Sequence, residues 1–376
     1  MSTRIRNVVF CTVIAVFGMD AGAAVPAYRP QNPQTVLLHL GDAGGQLEQW
    51  RRSARDPQSL AGYVRALIKT AGRTGDERYY GYAEQALRTQ AAPNDLELQL
   101  LQAQLLQHRH QFAAAESELS ALLDRDPHDR AARLMRAQVR LHLKQPDAAM
   151  RDCVALMPVV DIATATTCIA QARAALGDLT HAYALVTATL RSPSPDAVRA
   201  SWSSGVAAEL AARLGDNAAA ERWFNAANRL DPESHFARVS YADWLLWQGD
   251  NRRALQIANN GKSIADRTRA VLAARSANSD AARTLQLLWR EASARGERDH
   301  LRDLARFHWF VLRDARGAHA IALDNFRNHR EGEDALLLAQ TARATKDRAA
   351  LMQVFRWQQD SRYRDVRLDH LLRALA

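Results

Sequence analysis

The strongest constraint on the fold is a period of 34 residues in the segment from Ser201 to Thr268. Small and turn-forming residues recur at this spacing as Ala208 and Ala242, Gly215 and Gly249, Asp216 and Asp250, and Ala220 and Ala254. A fixed period in this range is typical of a solenoid of stacked helix pairs, because one unit alone cannot bury its apolar face. We therefore expect the chain to work through an extended surface rather than an enclosed pocket.

The residue types favour helices along the whole chain. Of the 376 residues, 47% are hydrophobic and 24% are charged, which leaves no room for a large disordered tract. Ala, Leu, Arg and Gln are strong helix formers and fill most positions, whereas runs of Val and Ile are scarce. We predict an all-α fold.

Each residue type in the repeat has a physical role. Alanine lets two helix backbones approach closely, Gly-Asp ends one helix and caps the next, and Asp-Pro stops the second helix. Ala103, Ala115 and the pair Asp126-Pro127 occupy such positions in an earlier unit. The pattern resembles the tetratricopeptide repeat, a helix-turn-helix unit. The resemblance implies a right-handed α-solenoid that binds a protein or a peptide.

The repeat register divides the chain into four segments. They are a signal peptide at 1–23, an irregular segment at 24–58, repeats at 59–268 that are strongest at 96–268, and degenerate repeats at 269–376. The Ser192–Asp196 loop lengthens the spacing and predicts a hinge or an insertion. In the last segment we predict helix pairs at about 269–297, 299–330 and 333–359 and a closing helix from Arg364 to Leu375. A water-facing cap fits the polar residues Arg362, Arg364, Asp365, Arg367 and Asp369.

The N-terminus has the pattern of an export signal. Arg4 and Arg6 precede the apolar run from Val8 to Met19, and small residues follow it, which predicts cleavage after Ala23 or Ala24. The run is shorter than the roughly 20 residues that span a bilayer, although an uncleaved anchor is an alternative. We expect a bacterial protein of the periplasm, or a secreted one, with no transmembrane segment once the signal is removed.

The net charge of +9 does not predict a nucleic-acid partner. Basic residues alternate with acidic ones, as in the segment Arg51–Asp56, and no run of five like charges occurs. A mixed, solvated surface explains this distribution better than a track for phosphates. An acidic partner or anionic lipid headgroups remain open alternatives.

The sequence predicts no catalytic residue, no cofactor site and no metal site. His108 and His110 are two positions apart, so a helix points them in different directions, and surface histidines are the better interpretation. Ser203-Ser204-Gly205 lacks the flanking pattern of a nucleophilic serine. Glu331 and Glu333 are interpreted as charges on a solvent face.

Two cysteines remain after removal of the signal, Cys153 and Cys168. In the repeat register they lie on antiparallel neighbouring helices, about equally far from the turn between them. An even number of cysteines suits an oxidising compartment. We predict a disulfide bridge, and the alternative is a pair of buried thiols.

The resemblance also implies a binding face. In the tetratricopeptide family the first helices of successive units line a concave groove, where extended peptides commonly bind. The implied groove residues are Gln104, His108, Gln138, His142, Gln171, Trp202, Glu209, Arg213, Phe236, Asp243 and Trp247, with Gln340 in a C-terminal unit. Amides donate to and accept from a peptide backbone, and Trp and Arg dominate many interfaces. The alternative is an ordinary solvated or packed helix face.

We therefore expect a non-enzymatic scaffold or adaptor of the bacterial cell envelope with an unidentified protein or peptide partner, which could itself be membrane-bound. Two alternatives stay open: an envelope assembly or chaperone factor, and an accessory subunit of a membrane transport or secretion system. An enzyme on an α-solenoid frame is a third, and it would need a convergent set of titratable side chains.

Overall fold

A computed structural model describes residues 56–74, 78–89, 95–191, 196–261, 263–294, 298 and 300–373. The predicted signal peptide, nearly all of the irregular segment at 24–58 and most of the Ser192–Asp196 loop lie outside these residues. Within them, no helix is long and apolar enough to cross a membrane.

The described residues form α-helices that follow one another without strands. They are α1 (Pro57–Thr74), α2 (Arg78–Thr89), α3 (Leu96–His108), α4 (Phe112–Arg125), α5 (Arg130–His142), α6 (Pro146–Leu156), α7 (Ile162–Ala175), α8 (Leu179–Thr189), α9 (Ala197–Leu214), α10 (Asn217–Leu230), α11 (His235–Gln248), α12 (Asn251–Ala258), α13 (Ile264–Ala274), α14 (Asp280–Ala294), α15 (Leu301–Phe307), α16 (Ala315–Asn328), α17 (Gly332–Thr345), α18 (Arg348–Ser361) and α19 (Val366–Leu372). A π-helical turn, His308–Leu312, continues α15. The predicted all-α fold is confirmed.

Aspartates start many of these helices, and glycines end some of them. The Asp216 carboxylate accepts from the backbone N–H of Ala219, and Asp250 accepts from that of Arg253. Gly215 and Gly249 end the preceding helices with φ of +84° and +78°, a left-handed conformation that glycine adopts without a steric cost. The Gly-Asp pairs of the 34-residue period therefore join the two helices of a unit.

Helices pair in chain order, odd-numbered with even-numbered, from α1 with α2 to α17 with α18. Alanines lie where the helices of a pair cross: Ala208, Ala220 and Ala254 are 0% exposed and Ala242 is 1% exposed. The absence of a longer side chain lets the backbones approach closely at these points. In most of the chain, the second helix of each pair also packs on the first helix of the next pair.

The first helices line the inner side of the curved array. Neighbouring first helices, such as α7 and α9 or α11 and α13, approach each other more closely than neighbouring second helices do. Elements on the concave side of a curved stack must be the closer ones. This places the side chains of α3, α5, α7, α9 and α11 where the family resemblance implied a groove.

Some predicted boundaries differ from the observed ones. Helix α1 starts at Pro57, inside the segment predicted as irregular, and the predicted division at 268 falls inside α13. The closing helix is Val366–Leu372, two residues later at its start than predicted. Beyond Asp266 the period shortens, so the sequence no longer fixes the register of the C-terminal boundaries.

The array closes on itself through residues 329–373, which we call the C-terminal latch. Arg213, at the end of α9, donates from Nε to the carbonyl oxygen of Arg364 at 3.0 Å, across 151 positions of sequence. A Cβ atom at Gly215 would lie 3.0 Å from Val366 Cγ2, and one at Gly177 would lie 3.4 Å from Arg362 Cβ. The turn before α19 therefore rests on the turns that follow α7 and α9.

A disulfide bridge joins Cys153 of α6 to Cys168 of α7, and both residues are fully buried. It clamps the second helix of one unit to the first helix of the next unit, at the level that the repeat register predicted.

We expect the double variant Cys153→Ala, Cys168→Ala to lower the free energy of unfolding by about 3 kcal/mol, because a bridge over a short loop restricts the unfolded chain. Urea denaturation followed by circular dichroism measures this. The wild-type protein in a strong reductant is the control and should lose a similar amount. Equal denaturation midpoints for oxidised wild type and the double variant would contradict the prediction.

Candidate functional site

The inner face carries a row of polar side chains that link neighbouring first helices. Gln138 of α5 donates from Nε2 to Gln171 Oε1 of α7 at 3.0 Å. Farther along, Ser240 Oγ of α11 donates to Glu209 Oε1 of α9 at 3.1 Å. These side chains are half-buried, so part of each still faces the space enclosed by the array. Two hydrogen bonds thus join members of the predicted column to neighbouring first helices, one between α5 and α7 and one between α9 and α11.

The row ends in a dense ionic cluster between α11 and α15. Arg269 of α13 contacts both Asp243 oxygens, at 3.0 and 2.9 Å, and also Asp303 at 2.9 Å. Arg306 Nη1 lies 3.0 Å from Asp243 Oδ1. Burial raises the pKa of Asp243, but the charges of Arg269 and Arg306 outweigh burial and bring the pKa to about 2. Asp243 is therefore ionised and fully engaged at neutral pH.

The pKa of Glu209, in contrast to that of Asp243, is raised. Burial raises the pKa of its carboxyl group to about 7, and the hydrogen bond from Ser240 opposes that shift. The Glu333 carboxylate of the latch raises the pKa of Glu209 further, whereas Arg213 and Arg367 lower it. Near neutral pH, Glu209 is therefore partly protonated.

The latch meets the implied groove at the ends of the first helices. His142 Nδ1 lies 3.2 Å from Glu331 Oε1, and the His142 ring stacks on Phe112 with centroids 4.5 Å apart. The Arg213 guanidinium lies 4.3 Å from the centre of the Tyr363 ring. The Arg367 guanidinium lies 5.4 Å from the centre of the Trp247 ring. His142, Arg213 and Trp247 thus contact the chain's own C-terminal residues.

The remaining residues of the implied groove lie in different surroundings. Gln104 is half-buried on α3, and His108 stacks on Tyr80 with ring centroids 3.4 Å apart. Trp202 is half-buried against the apolar cluster between α7 and α9. Phe236 is 45% exposed, with its ring edge against Gly205 of α9. Phe236 therefore offers an apolar surface to solvent.

Two interpretations of the C-terminal sequence hold only in part. Glu331 and Glu333, expected on a solvent face, pair with His142 and with Arg306, at 3.2 Å in each case. In the polar cap, Arg362, Arg364 and Asp369 are exposed as expected. Asp365, however, is 1% exposed, and Arg367 reaches Glu333 at 3.1 Å. Sequence spacing gave no signal for these contacts, because their partners lie dozens of positions away.

Little space is left where the row meets the latch. Asp243, Trp247, Arg306, Glu333 and Gln340 line a cavity of about 20 Å³, room for roughly one water molecule. Among the described residues, no group of three or more His, Cys, Asp or Glu could hold a metal ion. A cleft of about 320 Å³ opens elsewhere, between α14 and α15, at Trp289 and Phe307.

No family model and no curated protein matches the sequence. Among solved structures, a tetratricopeptide repeat protein from Parabacteroides merdae ATCC 43184 is 15% identical, with 74% of this chain and 98% of that chain covered and a TM-score of 0.39. The TPR domain of P58(IPK) is 13% identical, with 81% and 98% covered and a TM-score of 0.19. Both TM-scores are below 0.5, so these structures do not establish the architecture. The helix pairs are defined by the contacts between helices described above.

We expect Glu209→Gln to stabilise the protein at pH 8 and to have little effect at pH 5. The pKa of Glu209 is raised from about 4.5 to about 7, so its favourable contribution is complete below pH 4.5 and is lost as the pH rises through 7. For a half-buried carboxyl group, we expect a difference of about 2 kcal/mol at pH 8.

Thermal unfolding of both proteins at pH 5 and pH 8 measures this difference. Glu233→Gln is a matched control, since Glu233 is exposed in the turn between α10 and α11. A gap between wild type and Glu209→Gln that does not change with pH would contradict the prediction.

Proposed function

We propose that this protein is a non-enzymatic scaffold of the bacterial cell envelope that binds an extended peptide or protein segment along the inner face of its helix array. One observation carries the proposal: the half-buried polar row over α3, α5 and α7, where Gln104, Gln138 and Gln171 occupy successive first helices. The latch contacts His142 at the end of α5, Arg213 on α9 and Trp247 on α11.

The chemistry of the row suits a polypeptide backbone. A peptide in extended conformation presents alternating N–H and C=O groups, and an amide side chain can satisfy either one. The hydrogen bond between Gln138 and Gln171 leaves one N–H of Gln138 and both N–H groups of the Gln171 amide for further partners. Phe236 and the half-buried Trp202 provide apolar contacts farther along the face.

The predicted export signal and the buried disulfide support a location in the envelope. Disulfides persist in oxidising compartments such as the bacterial periplasm. The bridge between Cys153 and Cys168 holds together α6 and α7, next to the glutamine row. A membrane-bound partner, as in an assembly, transport or secretion system, is compatible with this location.

We expect the triple variant Gln104→Ala, Gln138→Ala, Gln171→Ala to reduce recovery of a crosslinked partner from the native periplasm by at least fivefold. Its thermal stability should change by no more than about 1 kcal/mol, since one partly exposed hydrogen bond is lost. Quantitative mass spectrometry after crosslinking and purification measures the recovery.

The matched control is the triple variant Gln85→Ala, Gln256→Ala, Gln359→Ala, whose glutamines are exposed on the second helices α2, α12 and α18. It should recover the partner as wild type does. Equal loss in both triple variants, or no loss in either, would contradict binding on the inner face.

A further inference from the structure

The cleft between α14 and α15 lies where the helix array is packed most loosely. Helix α14 approaches its partner α13 less closely than the other second helices approach theirs, and it does not pack along α15 as most second helices pack on the next first helix. Two large rings meet here instead of alanines: the centroids of Trp289 and Phe307 are 5.5 Å apart, with the rings edge to face. Because packed rings of this size cannot be compressed, they hold the helices apart and keep the cleft open.

The inner part of the cleft is apolar. Trp289 and Phe307 form its floor and are 5% and 1% exposed. Leu304 is half-buried and Leu312 is 41% exposed, and both offer apolar surface at the sides of the cleft. The volume of about 320 Å³ is at the lower end of the range of roughly 300 to 1,000 Å³ that is usual for small-molecule sites. The cleft is therefore large enough for a small organic molecule.

The rim of the cleft is polar and carries an uncompensated positive charge. Among the described residues that line the cleft, the polar ones are Gln286, Arg290, Ser293 and His308, and none is acidic. Within the described part of the chain, Arg290 forms no ion pair, and its one hydrogen bond runs from Nε to the carbonyl oxygen of Gln286 at 3.4 Å. Both Nη groups of Arg290 are therefore available to bind a carboxylate, for which the guanidinium geometry is well suited.

Two other groups of the rim are held in place by their neighbours. His308 Nδ1 lies 3.0 Å from Asp314 Oδ2, and Ser293 Oγ lies 2.9 Å from His300 Nε2. With Nδ1 of His308 engaged, Nε2 is the ring nitrogen that is left for a ligand. His308 and Leu312 belong to the π-helical turn, a rare conformation that often occurs at functional sites. A ligand would therefore meet ordered polar groups in addition to Arg290.

We propose that the cleft between α14 and α15 binds a small amphipathic anion, a molecule with an apolar body of one or two rings and one carboxylate. The apolar body lies between Leu304 and Leu312, over the aromatic floor, and Arg290 binds the carboxylate. The cleft shares none of its lining residues with the implied groove. This site is therefore a second one, and it does not depend on the proposed binding of a peptide to the inner face.

2-Naphthoate serves as the probe, since it joins a two-ring apolar body to one carboxylate, and 2-naphthamide is its neutral counterpart of nearly the same shape. We expect the full chain to bind 2-naphthoate with a dissociation constant of about 1 mM or lower, and to bind 2-naphthamide at least about fivefold more weakly. A titration followed by saturation-transfer difference NMR measures both affinities. Equal affinity for the two probes, or no binding of 2-naphthoate, would overturn the proposal.

The variant Arg290→Gln tests the charge. It should weaken the binding of 2-naphthoate at least about fivefold and leave the binding of 2-naphthamide unchanged, whereas Arg290→Lys should retain part of the preference for the anion. Arg283→Gln is the matched control, because Arg283 is also exposed on α14 but pairs with Asp280 and does not line the cleft. Losses of equal size in Arg290→Gln and Arg283→Gln would contradict a carboxylate site at Arg290.

The variant Leu312→Ser tests the apolar wall. Leu312 and Leu287 are 41% and 51% exposed, so neither substitution leaves a large cavity in the core, but only Leu312 lines the cleft. We expect Leu312→Ser to weaken the binding of both probes at least about threefold and Leu287→Ser to have no effect, because only the first removes apolar surface from the site. The opposite ranking of the two variants would place the probe elsewhere and refute the proposal.

The glutamine variant Gln104→Ala, Gln138→Ala, Gln171→Ala separates this proposal from the proposed function. It should bind 2-naphthoate as wild type does, since its substitutions lie on α3, α5 and α7. Absence of 2-naphthoate binding to wild type, together with loss of the partner in the glutamine variant, would reject the cleft proposal and leave the proposed function standing.

Discussion

The close crossing of two helices at buried alanines is the interaction on which the rest of the structure depends. Ala208 with Ala220, and Ala242 with Ala254, let helix backbones meet without intervening side chains. Because the same crossing recurs from unit to unit, the same small rotation is added at each step, and the first helices come to face a common interior. The polar row and the return of the latch both follow from that accumulated curvature.

Buried ion pairs engage several arginines of this chain, whose net charge is +9. Asp152 is buried on α6 and lies within 3.6, 2.7 and 2.8 Å of Arg133, Arg136 and Arg140. Taking a carboxylate out of water requires such partners. On the inner face, Asp243 holds Arg269 and Arg306 in the same manner. Many arginines thus serve to join neighbouring helices.

Most of the fold could be predicted from the sequence, because its information is local. The Gly-Asp turns and the alanine crossings act between helices that are adjacent in the chain, and so does the bridge between Cys153 and Cys168. The candidate site was predicted in part: neighbouring polar residues such as Gln138 and Gln171 meet as the register requires. Their role as partner contacts stays a prediction that the glutamine variants test.

The C-terminal contacts could not be predicted, because no local pattern encodes them. Whether Glu331 faces water or His142 depends on the total curvature of all the preceding units, and a small change of angle per unit would move the latch by many ångströms. The same holds for Arg213, whose guanidinium lies 4.3 Å from the centre of the Tyr363 ring.

The sequence alone determined the helix pairs, their caps and the identity of the inner face, since each depends on residues within about one repeat of one another. The tertiary structure alone decided what lies on that face. The 34-residue period sets the step between units, but only the sum of the steps brings the latch back to α9 and α11, where it contacts Arg213 and Trp247.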